Sequence, residues 1–494
     1  MATAERPAPA SSGYLDAVLD PGSFRSWDAP AGTPAGADPA YRAELCRARV
    51  AAGTDESVIT GEGLVDGDPI AVVCSEFGFL AGSVGTVAAG RIVAAAERAT
   101  TARLPLLLAP ASGGTRMQEG TPAFLAMSTI ARQVGAHRRA GLPVVVHLRH
   151  PTTGGAFASW GALGSVTFAE PGALVGFLGP RVYEALHGRP FPPGVQTAEY
   201  LHAHGLVDGV LGAGELAPVL CRVIGLTRHA PARPGPPPQH RPEPQHRPGP
   251  EAGAWTSITA TRRPDRPGVR DLLAAARDTV PLHGTGAGET AAATLLCLTR
   301  IGRSACVLVG QDRAAERAVG PADLRVARRG MALARELRLP LVTVVDTPGA
   351  ELSPEAEQGG LAGEIARCLA ELSELPAPVV SVLLGQGGGG AALALLPADR
   401  VLAARHAWLT PLPPEGAAAI VHGTADRAGE TVAGQRVRST DLAELGVVHR
   451  IVDELPDAAD EPAEFVSRTM AALAEEIPVA AAGPRHPRVP SATR

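Results

Sequence analysis

The residues best suited to chemistry in this chain are two glycine pairs rather than reactive side chains. The first lies in PTTGGAFAS, residues 151–159, centred on Gly154 and Gly155; the second lies in LGQGGGGAALA, residues 384–394, with Gly389 and Gly390 in the equivalent place. Each sits where an apolar strand gives way to a helical stretch. Consecutive backbone N–H groups at a helix N-terminus, with no Cβ to obstruct approach, can hold an anion such as an enolate. A single such pair is as well explained by a tight turn or close helix–strand packing. Two pairs in one frame are harder to explain that way. A shift of 235 positions carries Arg103-Leu104-Pro105-Leu106 onto Arg338-Leu339-Pro340-Leu341, Pro143-Val144-Val145 onto Pro378-Val379-Val380, and Gly154-Gly155 onto Gly389-Gly390. A common offset across three separated landmarks marks an internal duplication. Two equivalent holes suit a reaction that develops two oxyanions. Neither turn follows the G-x-G-x-x-G or Walker spacing of a nucleotide cradle.

A catalytic side chain is harder to find. There is no G-x-S-x-G elbow and no H-E-x-x-H helix. Glu170, Asp346 and Glu415 fall at strand or turn ends, where caps and turns use such residues, and Ser112 and Ser159 have no evident histidine and acid partners. The chemistry is therefore expected to rest on backbone amides, with a substrate that brings its own base. All 45 Lys and Arg residues are arginine. That excludes a Schiff base, a P-loop lysine and biotin attachment on this chain. A formal net charge of -5 gives no reason to expect nucleic acid. Six cysteines without C-x-x-C spacing suggest neither a metal site nor a disulfide framework, and fit a reducing cytoplasm. No leader pattern opens the chain and no apolar run approaches the roughly 18 residues of a membrane span, so a soluble, cytoplasmic protein is expected.

The elements that must position the glycines follow a repeating plan. Residues 1–40, rich in Ala, Pro, Gly and Ser, read as a flexible lead-in. A helix is expected over 41–52, strands over 57–63 and 70–74 joined by a turn at Asp66-Gly67-Asp68, and a helix over 88–101. A buried strand over 104–109, a helix through Gln133 and a buried strand over 143–148 lead into the first pair. Strand, small-residue turn and helix in alternation argue for an α/β architecture. Nine of the 21 residues 230–250 are proline and none is Leu, Ile, Val or Phe, so this stretch cannot bury a core. The expected organisation is a first domain over 41–229, a Pro-rich linker over 230–253, a second domain over 254–480, and a flexible tail over 481–494.

Longer strings around the glycines carry a family resemblance. They are FGFLAGSVGTVAAGRIVAAAE (77–97), ASGGTRMQEG (111–120), AEPGALVGFLGPRV (169–182) and QTAEYLHAHGLVD (196–208) in the first half, and TRRPDRPGVRDLL (261–273), DTPGA (346–350) and PPEGAAAIV (413–421) in the second. With the two glycine turns, they make the chain resemble the carboxyltransferase of acetyl-CoA carboxylase, its β subunit fused ahead of its α subunit. The resemblance implies two crotonase-like (ClpP/crotonase) ββα-spiral domains in tandem. It implies transfer of a carboxyl group from carboxybiotin, borne on a biotin carboxyl carrier protein, to the α-carbon of an acyl-CoA, acetyl-CoA first among them. Carboxybiotin would release CO2, its ureido anion would take the α-proton, and the acyl-CoA enolate would attack the CO2. By the same resemblance Gly154 and Gly155 would face the thioester carbonyl, and Gly390 and Ala391, beside Gly389, the biotin carbonyl. Gly113, Gly114 and Arg116 would shape the coenzyme A side, with Arg91 at its phosphates. The carrier and a biotin carboxylase would be separate partners, no metal is implied, and a site shared between an N-half and a C-half implies a homo-oligomer.

The chain departs from the family pattern in places. The β subunit's four-cysteine zinc ribbon has no counterpart here. GEGGSGGA reads GQGGGGAA at 385–392, ELHGDR reads PLHGTG at 281–286, and Gly-Glu-Lys reads Ala-Gly-Arg at 89–91. Two other readings stay open at this point: a biotin-independent malonyl-thioester decarboxylase, and a non-catalytic paralogue that scaffolds an active enzyme.

Overall fold

The computed structural model describes residues 10–34, 36–228 and 253–483; most of the Pro-rich stretch and residues 484–494 of the tail lie outside them. The chain forms two compact units, one reaching Thr227 and including Gly286–Gly288, the other formed by Arg228–Thr285 and the chain from Glu289.

The first unit is built on a seven-stranded mixed sheet. Its strands are β1 (Arg25–Ser26), β2 (Val58–Val65), β3 (Asp68–Ser75), β4 (Leu106–Ala109), β5 (Val144–Leu148), β7 (Val166–Ala169) and β9 (Gly209–Val210), in that spatial order. β6 (Thr152–Thr153) and β8 (Val175–Gly176) pair separately, in parallel. β2 and β3 form a hairpin whose two-residue turn, Asp66 and Gly67, has positive φ at both positions (51° and 79°), the conformation that matches the twist of the flanking strands. From β3 to β9 every pairing is parallel. Leu106-Leu107-Leu108 and Val144-Val145-Val146 are buried throughout, as strands covered on both faces must be. The helix Thr86–Thr101 buries Ala88, Ile92, Ala95, Ala96 and Ala99 along one stripe. The helix Gly120–Arg139 adds Ala123, Met127, Ile130 and Val134 to its own buried face.

The second unit repeats the topology. β10 (Arg277–Leu282), β11 (Thr294–Ile301), β12 (Ser304–Gln311), β13 (Leu341–Thr347), β14 (Val379–Gly387), β15 (Arg400–Ala404) and β16 (Arg450–Val452) follow in spatial order, antiparallel to β12 and parallel after it. The 235-residue frame reaches individual backbone conformations. Arg103 and Arg338, both non-glycine, sit in the left-handed region at φ 54° and 55°. Isolated bridges join Val84 to Thr115 in one unit and Val319 to Ala350 in the other.

The expected flexible lead-in is corrected where it is described. Ala10–Val18 is a helix that buries Tyr14, Leu15 and Val18. Ser11 donates through its amide and its hydroxyl to Glu76 Oε2, each at 2.8 Å, and the Tyr14 hydroxyl lies 3.0 Å from His147 Nδ1. The abundance of Ala and Pro across forty residues masked one short amphipathic stretch.

Two histidines are buried in this unit without a carboxylate partner on the ring. His147 holds Tyr14 on Nδ1 and the Leu211 carbonyl, 2.9 Å away, on Nε2; His137 Nδ1 lies 2.9 Å from Thr100 Oγ1. Burial lowers both, His137 to about 4. A folded-state pKa below the unfolded value of roughly 6.5 means the unfolded chain takes up the proton first as pH falls. The contribution of these two imidazoles to the stability of the first unit is therefore expected to be full above about pH 7 and to be lost between about pH 6.5 and pH 4. Urea midpoints across that range should show the loss, with a shallower slope in His137→Gln.

Candidate active site

In the first unit β6 delivers the chain to Gly154. The Thr153 N–H donates to Ser112 O (2.9 Å) and the Gly154 N–H to Phe177 O (3.1 Å). Gly154 takes φ 60°, a conformation that costs an L-residue roughly 1–2 kcal/mol, and the chain turns into a short helix. Gly155 and Ala156 supply its next two amides. First-turn amides have no carbonyl four residues behind them in the helix, and among the described residues these two donate to nothing outside it. The helix then widens into a π-turn over Phe157–Gly161, where the Ser159 hydroxyl donates to Gly155 O at 2.6 Å. Across from the turn, Gly114 stands at φ 108°, its N–H held by Ser112 Oγ at 3.0 Å. A Cβ on Gly114 would lie 3.3 Å from Gly155 N, over the amide that the glycine leaves open.

The second unit builds the same arrangement from different side chains. The Gly388 N–H donates to Thr347 O (2.9 Å) and the Gly389 N–H to Thr410 O (2.8 Å). Gly389 has φ 63°, and among the described residues the amides of Gly390 and Ala391 have no partner outside the helix Gly389–Leu393. Thr347 Oγ1 accepts the Gly349 N–H at 3.2 Å, as Ser112 does for Gly114. Behind the turn, Gln311 Nε2 donates to Ala391 O at 2.8 Å. Asp346 is enclosed, 3.0 Å from Arg313 Nη1 and accepting the Gln386 N–H at 2.9 Å. Burial pushes its carboxyl above the usual carboxylate range against the pull of Arg313.

Several residues read from the sequence change role. Gly154 provides the turn, since its amide is engaged by Phe177, and Ala156 takes its place beside Gly155. Gly389 is its counterpart, with its N–H on Thr410. Arg116 is not at a ligand surface: it is fully buried, ion-paired to Glu56 through Nη2, and donates to Ser83 O (2.7 Å) and Ser57 Oγ (3.0 Å). Arg91 is likewise committed to Asp55 (2.9 Å), Val58 O (3.0 Å) and Ala29 O (2.8 Å), which closes off the expected phosphate contact. Gly113 is exposed and gives its N–H to Ala81 O at 2.9 Å. Ser112 and Ser159 bond backbone groups, and Glu415 pairs with Arg262 at 2.6 Å, so none of the three is poised as a nucleophile or base. Sequence reasoning missed Ala156, Gly349, Thr347 and Gln311. The first three lay within its reach, because the offset that relates Gly155 to Gly390 also relates Ala156 to Ala391, Gly114 to Gly349 and Ser112 to Thr347.

Neutral amide pairs at helix N-termini, repeated on two mixed sheets, define an α/β protein able to hold oxyanions without a charged side chain. A family model, the carboxyl transferase domain, matches residues 14–485. The chain belongs to that family. It is 59% identical over 466 residues to the probable biotin-dependent acyl-coenzyme A carboxylase beta3 subunit of Mycobacterium tuberculosis (strain ATCC 25618 / H37Rv), covering 93% of this chain and 92% of that one. It is 38% identical over 486 residues to the acetyl-coenzyme A carboxylase carboxyl transferase subunits beta/alpha of Saccharopolyspora erythraea, covering 94% and 84%. Among solved structures, the transcarboxylase 12S hexamer with methylmalonyl-coenzyme A and methylmalonic acid bound superposes with a TM-score of 0.75, over 98% of this chain and 91% of that one at 20% identity. The fold is thus the carboxyl transferase fold, and the chain is of the biotin-dependent acyl-CoA carboxyltransferase kind.

The changed role of Arg116 is open to test. Glu56→Ala takes the nearer carboxylate from a buried guanidinium, leaving Glu119 at 3.4 Å as its ion-pair partner, and should lower stability by about 3 kcal/mol in urea unfolding. The KM for acyl-CoA of the folded fraction should stay within about twofold of wild type, the outcome for a cation that stabilises the fold and does not touch coenzyme A.

Proposed function

We propose that the chain is the carboxyltransferase subunit of a biotin-dependent acyl-CoA carboxylase, with each unit a crotonase-like ββα spiral, and that acetyl-CoA is its first substrate. The observation that carries the reading is the pair of equivalent turns, each leaving two adjacent amides without a partner outside their helix among the described residues. A thioester carbonyl and a biotin ureido carbonyl are both neutral before reaction and anionic during it. Uncharged, preorganised N–H donors favour that change over the ground state.

In this reading Gly155 and Ala156 hold the thioester oxygen, with Gly114 keeping the approach clear. Gly390 and Ala391 hold the ureido oxygen, with Gly349 in the place of Gly114. Carboxybiotin supplies both the carboxyl group and the base, which fits a site in which Asp346, Glu415, Ser112 and Ser159 are all otherwise engaged. With no lysine to carry biotin, the biotin carboxyl carrier protein and the biotin carboxylase are separate partners in a cytoplasmic, homo-oligomeric complex. Among the described residues no helix is long and apolar enough to cross a membrane. The relatives named for acetyl-CoA support the acyl choice, whereas the 59% relative is named only for an acyl group.

The reverse reaction tests the proposal: purified protein, malonyl-CoA and biocytin, with malonyl-CoA loss followed by mass spectrometry. Loss that requires biocytin is expected. Loss without it would make the protein a decarboxylase; no loss with malonyl-CoA, methylmalonyl-CoA or the natural carrier would make it a scaffold. A side chain on either turn should also tell the halves apart. Gly155→Val places its Cβ 2.7 Å from Thr115 Oγ1 and should reduce turnover by about 10²–10³-fold. Gly390→Val, whose Cβ meets Ile365 Cδ1 at 2.9 Å, should abolish the biocytin-dependent rate and leave acyl-CoA binding by calorimetry intact.

A further inference from the structure

The helix that presents Gly390 and Ala391 has only five residues, too few to fix the direction of its amides by its own hydrogen bonds. Its carbonyls show where help is needed. The Ala394 N–H returns to Gly390 O at 2.9 Å, but the Leu395 N–H, which in a continuing helix would reach Ala391 O, bonds Ala392 O instead at 3.2 Å. Ala391 is fully buried, so its carbonyl has no water to turn to. The donor it finds is Gln311 Nε2, at 2.8 Å from the end of β12. The other end of the same amide, Gln311 Oε1, accepts the Asp346 N–H at 3.2 Å. Asp346 is the residue before Thr347, whose carbonyl holds Gly388 and whose hydroxyl holds Gly349. Gln311 is itself 1% exposed.

We propose that Gln311 is the positioning residue of the second amide pair: one buried carboxamide ties the elbow at Asp346–Gly349 to the helix at Ala391 and so sets the direction of the Gly390 and Ala391 N–H groups. It does not touch substrate. The first unit supports the assignment by contrast. The position 235 residues earlier is Glu76, which faces Ser11 and Gly78, and a different side chain, Ser159, bonds the first-turn carbonyl of Gly155. Each unit therefore holds a first-turn carbonyl with a side chain, and each does so with its own residue.

The catalytic consequence rests on the carboxyltransferase reading, so two measurements are paired. Gln311→Met keeps length and volume but removes both hydrogen bonds; Gln311→Glu keeps the acceptor for Asp346 and removes the donor to Ala391. In both variants biocytin-dependent loss of malonyl-CoA is expected to slow at least about tenfold, the usual effect of losing an outer partner of a binding group. The KM for malonyl-CoA should stay within about twofold, since the other unit is untouched. Hydrogen–deuterium exchange of the peptide spanning 388–395 should accelerate by about tenfold or more while the rest of the second unit keeps its protection. Wild-type exchange in that peptide, or a wild-type rate in Gln311→Met, would overturn the proposal, as would equal losses in the malonyl-CoA and biocytin parameters. A wild-type protein inert in the assay would remove the carboxyltransferase reading alone, and the exchange result would still decide whether Gln311 holds the turn.

Discussion

An amide can stabilise an oxyanion only if no carbonyl of the protein has claimed it first. Buried N–H groups are almost always paired, so leaving two adjacent ones open requires the surrounding backbone to be satisfied by other means. Both turns meet that requirement in the same way. The two amides before the open pair are bound by neighbouring segments, Ser112 and Phe177 in one unit and Thr347 and Thr410 in the other. A glycine at positive φ then swings the chain into a new helix whose first-turn amides have no partner to the rear. The sheet, the flanking elbow and the short helix all serve to keep those few N–H groups unclaimed.

This constraint explains how the two units share so much backbone with so little side-chain identity. The elbow hydroxyl is Ser112 in one and Thr347 in the other, and the glycine whose N–H it accepts is Gly114 in one and Gly349 in the other. The equivalent of Gly388 is Thr153. Arg103 and Arg338 even share a left-handed conformation. What is kept is the geometry of hydrogen bonds, because the proposed chemistry is assigned to the main chain. Side chains are free to differ wherever they deliver the same carbonyl or hydroxyl to the same place.

The same fact sets the limits of what the sequence disclosed. Strand and helix positions were legible because apolar periodicity is a side-chain property, and the glycine turns because glycine is the residue that positive φ demands. Which amide stays open was not legible, since that depends on the Phe177 and Thr410 carbonyls arriving from distant segments; Gly154 was therefore credited with a donor that it has already given away. Arg91 and Arg116 misled for a related reason. A guanidinium beside a glycine-rich string looks like a phosphate ligand, and only the fold reveals Asp55 and Glu56 waiting for it. The helix at Ala10–Val18 was hidden by the composition of its neighbours.

The buried ion pairs have a consequence at the far end of the pH scale. Arg116 with Glu56 and Arg266 with Glu454 place guanidinium groups in the interior, and a guanidinium does not release its proton in any ordinary buffer. A chain without lysine thus has no buried ammonium to neutralise under alkaline conditions. The groups that titrate there are acids kept neutral by burial. Cys74 is raised to about 11, Cys297 and Cys368 to about 12, and the Tyr14 hydroxyl above its ordinary value. Each is protonated in the folded protein when it would already be ionised in the open chain, so the thiols withdraw stability as pH climbs past about 9 and the tyrosine past about 10. The alkaline edge of this protein is expected to follow its buried thiols and phenol and not its cations.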